Sequence, residues 1–77
     1  MGQPELIIYS TPLCAPCDVL KRILTTEGLS FEVKDLMVDE AAAELIDRNS
    51  IRTVPVLGIN GALHHGDALR PEKLVAL

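Results

Sequence analysis

The chain has no tryptophan, one tyrosine and one phenylalanine in 77 residues, so any core it forms is built from aliphatic side chains. It has only two cysteines, Cys14 and Cys17. They are too few for a disulfide scaffold and too close together to staple a distant loop, so they read as chemistry rather than as bracing. No basic run is present: seven Lys and Arg against eleven Asp and Glu leave a net charge of −4. Binding to a phosphate backbone needs a clustered positive face, which argues against a nucleic-acid partner. No apolar run approaches the roughly 20 residues that span a bilayer. Met1-Gly2-Gln3-Pro4-Glu5 lacks the basic leader of a secretion signal, and Leu6 stands where a myristoylation signal has Ser or Thr. Repeats, low-complexity tracts and linkers are also missing. Because 48% of the residues are hydrophobic and 23% are charged, global disorder is excluded too. The expectation is a single domain over residues 1–77, soluble and cytoplasmic, with two thiols kept in a reducing compartment.

Short elements separated by turn signals make up the rest. Leu6-Ile7-Ile8-Tyr9 is an uninterrupted apolar run of strand length, as expected for a strand covered on both faces. Ser10-Thr11-Pro12 ends it. Over residues 14–27 the period changes: Leu20, Ile23 and Leu24, with Val19 beside them, form a stripe at helical spacing. Pro16 suits the first turn of that helix and Gly28 its C-terminal cap. Phe31, Val33 and Asp35 alternate with Glu32 and Lys34, which predicts a second, half-buried strand. Asp39 is placed to cap a helix through Asn49 with Ala42, Leu45 and Ile46 inward. Val54–Ile59 reads as a strand, Asn60-Gly61 as a hairpin turn, and Ala62-Leu63-His64 as the return strand. Pro71 opens a last helix carrying Leu74, Val75 and Leu77. The order β-α-β-α-β-β-α begins with a parallel unit and ends with an antiparallel hairpin, so a four-stranded mixed sheet flanked by helices is expected.

Cys14-Ala15-Pro16-Cys17 falls at the junction of the first strand and the first helix. Cys14 lies at the helix N-terminus, where unpaired N–H groups and the positive end of the dipole favour an anion. The thiolate is the nucleophile, and such positions lower a Cys pKa from about 8.5 to roughly 3.5–7.5. Cys17 is one turn further in, placed to attack a mixed disulfide formed on Cys14, with its sulfur more covered. Lys21 shares their face and favours the thiolate; Asp18, also near it, opposes it. Zinc would need four ligands. There is no second Cys pair, and the adjacent His64 and His65 point to opposite faces of a strand. The two histidines read as exposed hairpin residues, or as groups that tune the site near neutral pH. Asp39-Glu40 and Glu44-Asp47 read as a solvated helix face, and Arg48 and Arg52 as surface charges.

The stretch Tyr9-Ser10-Thr11-Pro12-Leu13-Cys14-Ala15-Pro16-Cys17, with Lys21, Gly28, Phe31-Glu32 and Thr53-Val54-Pro55, resembles the glutaredoxins over nearly the whole chain. The resemblance implies a minimal thioredoxin fold and a dithiol–disulfide oxidoreductase in which Cys14 and Cys17 are catalytic. It further implies a cis Pro55 opposite the cysteines, with the Val54 backbone pairing an extended substrate. Thr11, Thr53, Val54, Pro55, Gly66 and Asp67 are by position the substrate- or glutathione-binding residues.

Three departures touch the glutathione site. Ala15-Pro16 replaces the family's Pro-Tyr, Thr11 stands where a lysine is frequent, and His65-Gly66-Asp67-Ala68-Leu69 keeps one glycine of a Gly-Gly-x-Asp-Asp segment. The tail from Gly66 to Arg70-Pro71-Glu72-Lys73-Leu74 is similar to that of the glutaredoxin-like redoxins, which thioredoxin reductase reduces and which feed ribonucleotide reductase. The expected co-substrate is glutathione, with thioredoxin reductase as the alternative reductant and no tightly bound cofactor. Expected partners are disulfide-containing proteins or glutathione mixed disulfides, met by a monomer. Two readings from other classes remain: a module holding an iron–sulfur cluster between two chains, and a non-catalytic interaction domain.

Overall fold

A computed structural model describes residues 3–69. Strand β1 (Leu6–Ser10) is followed by helix α1 (Ala15–Thr26), β2 (Glu32–Asp35), α2 (Glu40–Arg48), β3 (Val56–Ile59), β4 (Ala62–His65) and a 3-10 turn, Gly66–Leu69. The strands form one sheet in the order β2-β1-β3-β4. β1 runs parallel to β2 and antiparallel to β3, and β3 and β4 are antiparallel. This is the mixed α/β sheet of the minimal thioredoxin fold. The helix expected from Pro71, with Leu74, Val75 and Leu77, lies outside the described residues.

The unbroken apolar run in β1 follows from its central position. Alternate side chains leave opposite faces of a strand, and here both faces are covered. Leu6 and Ile8 pack with Leu20 and Leu24 of α1 and with Leu57. Tyr9 packs on the other side with Ala42 and Ile46 of α2, Ile51 and Val56. The approach of the strands is close there: a Cβ added at Gly58 would lie 3.3 Å from Tyr9 Cε2.

Both helices are delimited by chemistry visible in the sequence. Asp39 caps α2, its Oδ1 accepting from the Ala42 N–H at 3.0 Å. At the end of α1 the Gly28 N–H donates to the Thr25 carbonyl and the Leu29 N–H to the Leu24 carbonyl, both at 3.0 Å. With Gly28 at φ +73°, this is a Schellman closure. α2 ends in the same pattern, Ser50 to Asp47 and Ile51 to Ile46, but with Ser50 in the left-handed position at φ 56°. Asn60 (φ 49°) and Gly61 (φ 90°) turn the β3–β4 hairpin, both with the positive φ that a type I′ turn needs.

Four expectations shift. Val33 is 43% exposed rather than half-buried, because β2 is an edge strand with a neighbour on one side only; Phe31 does pack on the α1-side cluster. Asp35 is not part of the core alternation, since its carboxylate accepts from the Met37 N–H at 2.8 Å and shapes the following turn. The third strand starts at Val56 rather than Val54, in keeping with Pro55 having no N–H for the ladder. The return strand gains one residue, His65.

Candidate active site

The two cysteines lie at the end of the sheet where β1 stops. The chain leaves Ser10, turns through residues 11–13 and enters α1 with Cys14 as its N-cap, in extended conformation (φ −107°, ψ 101°). Pro16 occupies the first turn, where its missing N–H leaves no partner wanting. The Cys14 Sγ accepts from the Cys17 N–H at 3.1 Å. An N-cap serine oxygen usually fills that role; here a sulfur does, held against the free amides and the positive end of the α1 dipole.

Cys14 and Cys17 are joined in a disulfide, with Cα atoms 5.2 Å apart. Their exposures differ. Cys17 is 1% exposed, on the inner face of α1 with Leu20 and Leu24, whereas Cys14 is half-buried at the helix end. An incoming sulfur therefore has access to Cys14 and not to Cys17.

A groove of about 500 Å³ opens beside the pair. One wall is α1, through Ala15, Pro16, Val19, Leu20 and Ile23. The other is the segment before β3, Thr53, Val54 and Pro55, with Gly66 and Leu69 closing the end. The Val54–Pro55 peptide is cis, as the resemblance implied. Among the described residues no charged side chain lines the groove.

The other residues singled out in the sequence are dispersed. Thr53, Val54, Pro55 and Gly66 meet in the groove, but Thr11 is half-buried in the loop before Cys14 and is not among its lining residues. Asp67 belongs to the 3-10 turn; its side chain is outside what is described. Lys21 Nζ lies 3.8 Å from Asp18 Oδ1, with the two side chains 36% and 70% exposed. The two charges assigned opposite effects on Cys14 thus face each other in a solvated pair of small energetic weight. His64 is half-buried and His65 exposed on β4. Among the described residues no three His, Cys, Asp or Glu side chains form a metal-binding group, and no helix is long and apolar enough to cross a membrane.

Sequence reasoning missed the α1 wall. Helical spacing puts Val19 beside the core stripe, yet it is 46% exposed. The signal was there: Val19 and Ile23 make an i, i+4 pair alongside Leu20 and Leu24, one apolar row more than a single buried face requires.

A Cys pair at a helix N-terminus, at the end of a mixed four-stranded sheet, with a cis-proline segment across a groove from that helix, defines a thioredoxin-like redox protein. The sequence profile of the glutaredoxin family matches residues 6–64. The chain belongs to the glutaredoxin family and is a thiol–disulfide oxidoreductase. Among solved structures it is similar to the glutaredoxin-like NrdH-redoxin from Escherichia coli, at 26% identity over 95% of this chain and 93% of that one, with a TM-score of 0.83. It is similar to a thioredoxin-like protein at 27% identity, 94% and 97% coverage and a TM-score of 0.79. A glutaredoxin from Archaeoglobus fulgidus matches at 26% identity over 99% and 87%, with a TM-score of 0.73. A sequence comparison with curated proteins gives no match.

Proposed function

We propose that the chain reduces disulfides in polypeptides, with its reducing equivalents supplied by a flavoprotein of the thioredoxin reductase type. In the reduced protein the Cys14 thiolate attacks one sulfur of the substrate disulfide. That S–S bond breaks, one substrate thiolate leaves, and a mixed disulfide joins Cys14 to the substrate. Cys17 then attacks the Cys14 sulfur and expels the second substrate thiol. The substrate has gained two electrons and two protons, and the chain is left with the Cys14–Cys17 disulfide. A two-electron donor resets it.

The observation that carries this reading is the groove. Its lining, mostly aliphatic residues with Thr53, Pro55 and Gly66, suits an extended polypeptide laid down as an added strand beside Val54. Free glutathione carries two carboxylates and an ammonium, and the groove offers none of them a charged partner among the described residues. The similarity to the E. coli redoxin, described as a glutaredoxin-like protein with a thioredoxin-like activity profile, points the same way. It makes ribonucleotide reductase a partner to test.

Glutathione as reductant is the second reading, favoured by the glutaredoxin profile across residues 6–64, a span that includes Thr53-Val54-Pro55. NADPH oxidation on insulin and on a small mixed disulfide separates the two readings. One reaction contains thioredoxin reductase alone, the other glutathione and glutathione reductase. The expected result is turnover with thioredoxin reductase. Turnover only with glutathione would refute that choice and establish the second reading.

A further inference from the structure

Leu13 combines two features that folding stability disfavours. Its φ is 58°, a region in which a bulky L-residue is an outlier. The residue is 105% exposed, as much as in an extended peptide. The other described non-glycine residues with positive φ, Ser50 and Asn60, are small and polar, and each closes a helix or a hairpin. Leu13 caps nothing and packs into neither core cluster. An outlier with no structural return is a reason to look for function.

Its position supplies one. Leu13 directly precedes Cys14, on the loop leaving β1. The next loop along, leaving β2, is tied to the same sheet end by the Leu36 N–H donating to the Ser10 carbonyl at 2.9 Å. That loop exposes Met37 (72%) and Val38 (79%). Val19 exposes itself in the groove on the α1 side. Of the large apolar residues exposed in the described structure, only Val33 is away from this end. Single exposed leucines mean little, but apolar surface gathered around a reactive group marks a contact.

We propose that Leu13 is a specificity-determining residue which docks against an apolar side chain flanking the disulfide of a polypeptide substrate. The proposal rests on the polypeptide-disulfide reading above and narrows it to cystines with Leu, Val, Ile or Met beside them. Glutathione mixed disulfides bring no such side chain and gain nothing from Leu13. Leu13 is bonded to Cys14, and Ala15 and Pro16, the next two residues, line the groove, so whatever reaches the Cys14 sulfur comes in beside Leu13, which is why the occupant is the substrate itself.

The test uses pre-reduced whole protein and two synthetic peptides, each closed by one intramolecular disulfide. One has leucines flanking its cysteines and the other has serines. Single-turnover rate constants are read by acid quench and chromatography, so no physiological reductant is involved. Wild type is expected to prefer the leucine peptide by about tenfold, the scale of burying much of a leucine side chain. Leu13→Asn, polar and at ease in the left-handed region, should reduce the preference to within about twofold. Leu13→Met, apolar and flexible, should keep most of it.

Equal rates for the two peptides in wild type would overturn the proposal and leave the polypeptide reading standing. A preference that survives Leu13→Asn would overturn it as well. Loss in Leu13→Met as complete as in Leu13→Asn would overturn it too, showing that the position acts through its backbone. Failure of wild type to reduce either peptide would remove the polypeptide reading and this inference together.

Discussion

Two helices of this protein end in the same hydrogen-bond pattern with different residues at the left-handed position, and this allows a prediction with opposite signs at equivalent sites. Gly28 follows α1 at φ +73°, with no atom within 4 Å of where a Cβ would stand. Gly28→Ala therefore meets no clash, and its whole effect is conformational. An L-residue in the left-handed region is disfavoured by about 1–2 kcal/mol, offset by the roughly 0.4–1 kcal/mol by which alanine stiffens the unfolded chain. The net loss is about 0.5–1 kcal/mol. Ser50 follows α2 at φ 56° and is exposed, so Ser50→Gly reverses the same terms and should stabilise by a similar amount. For a domain of this size each kcal/mol moves Tm by about 4–8 °C. Melts followed by far-ultraviolet circular dichroism suit a chain without tryptophan, with every sample kept in the disulfide form. Gly28→Ala should melt about 2–8 °C lower and Ser50→Gly a comparable interval higher. Shifts of the same sign in both variants would refute the argument that backbone conformation, rather than packing, governs these two positions.

Asp39→Ala removes the acceptor for the Ala42 N–H at the start of α2 and should lower stability by about 1 kcal/mol in a urea melt. Leu57→Ala empties a 0% exposed site between the sheet and α1. Its loss of about 2–5 kcal/mol should be seen as a large drop in the denaturation midpoint. Cys17→Ser should accumulate a mixed disulfide with insulin chains, visible by mass under non-reducing conditions, whereas Cys14→Ser should form none and lose turnover. Val19→Asp sets a carboxylate in the wall of the apolar groove and should raise KM for insulin with little change in Tm, because Val19 is already half exposed.

The elements were legible because local physics determines them. Cys14, Pro16 and Gly28 bracket α1, Asp39 and Asn49 bracket α2, and Asn60-Gly61 permits one tight turn; each acts through its own backbone or its nearest neighbours. The uninterrupted run Leu6–Tyr9 announced a strand buried on both sides, since no exposed strand tolerates such a run. The Cys14–Cys17 spacing at a strand–helix junction carried the redox chemistry for the same reason, because helix-end amides act within one turn.

What the sequence could not settle depends on which surfaces meet. Val33 and Val19 have core-like side chains, and nothing local distinguishes them from Ile8 or Leu20. Only the strand order, which puts β2 at the edge, exposes Val33. Only the position of the Thr53–Pro55 segment across from α1 makes Val19 a wall of the groove. Lys21 and Asp18 had opposing effects on Cys14 by spacing, whereas side-chain geometry turns them toward each other. Leu13 read as one more residue of the motif until the backbone placed it in the left-handed region with its side chain in solvent. The residue types and their spacing thus determined the chemistry and the two thiols that carry it. Tertiary structure decided what lies beside those thiols, since burial and access depend on contacts between segments some forty residues apart, and no local preference encodes them.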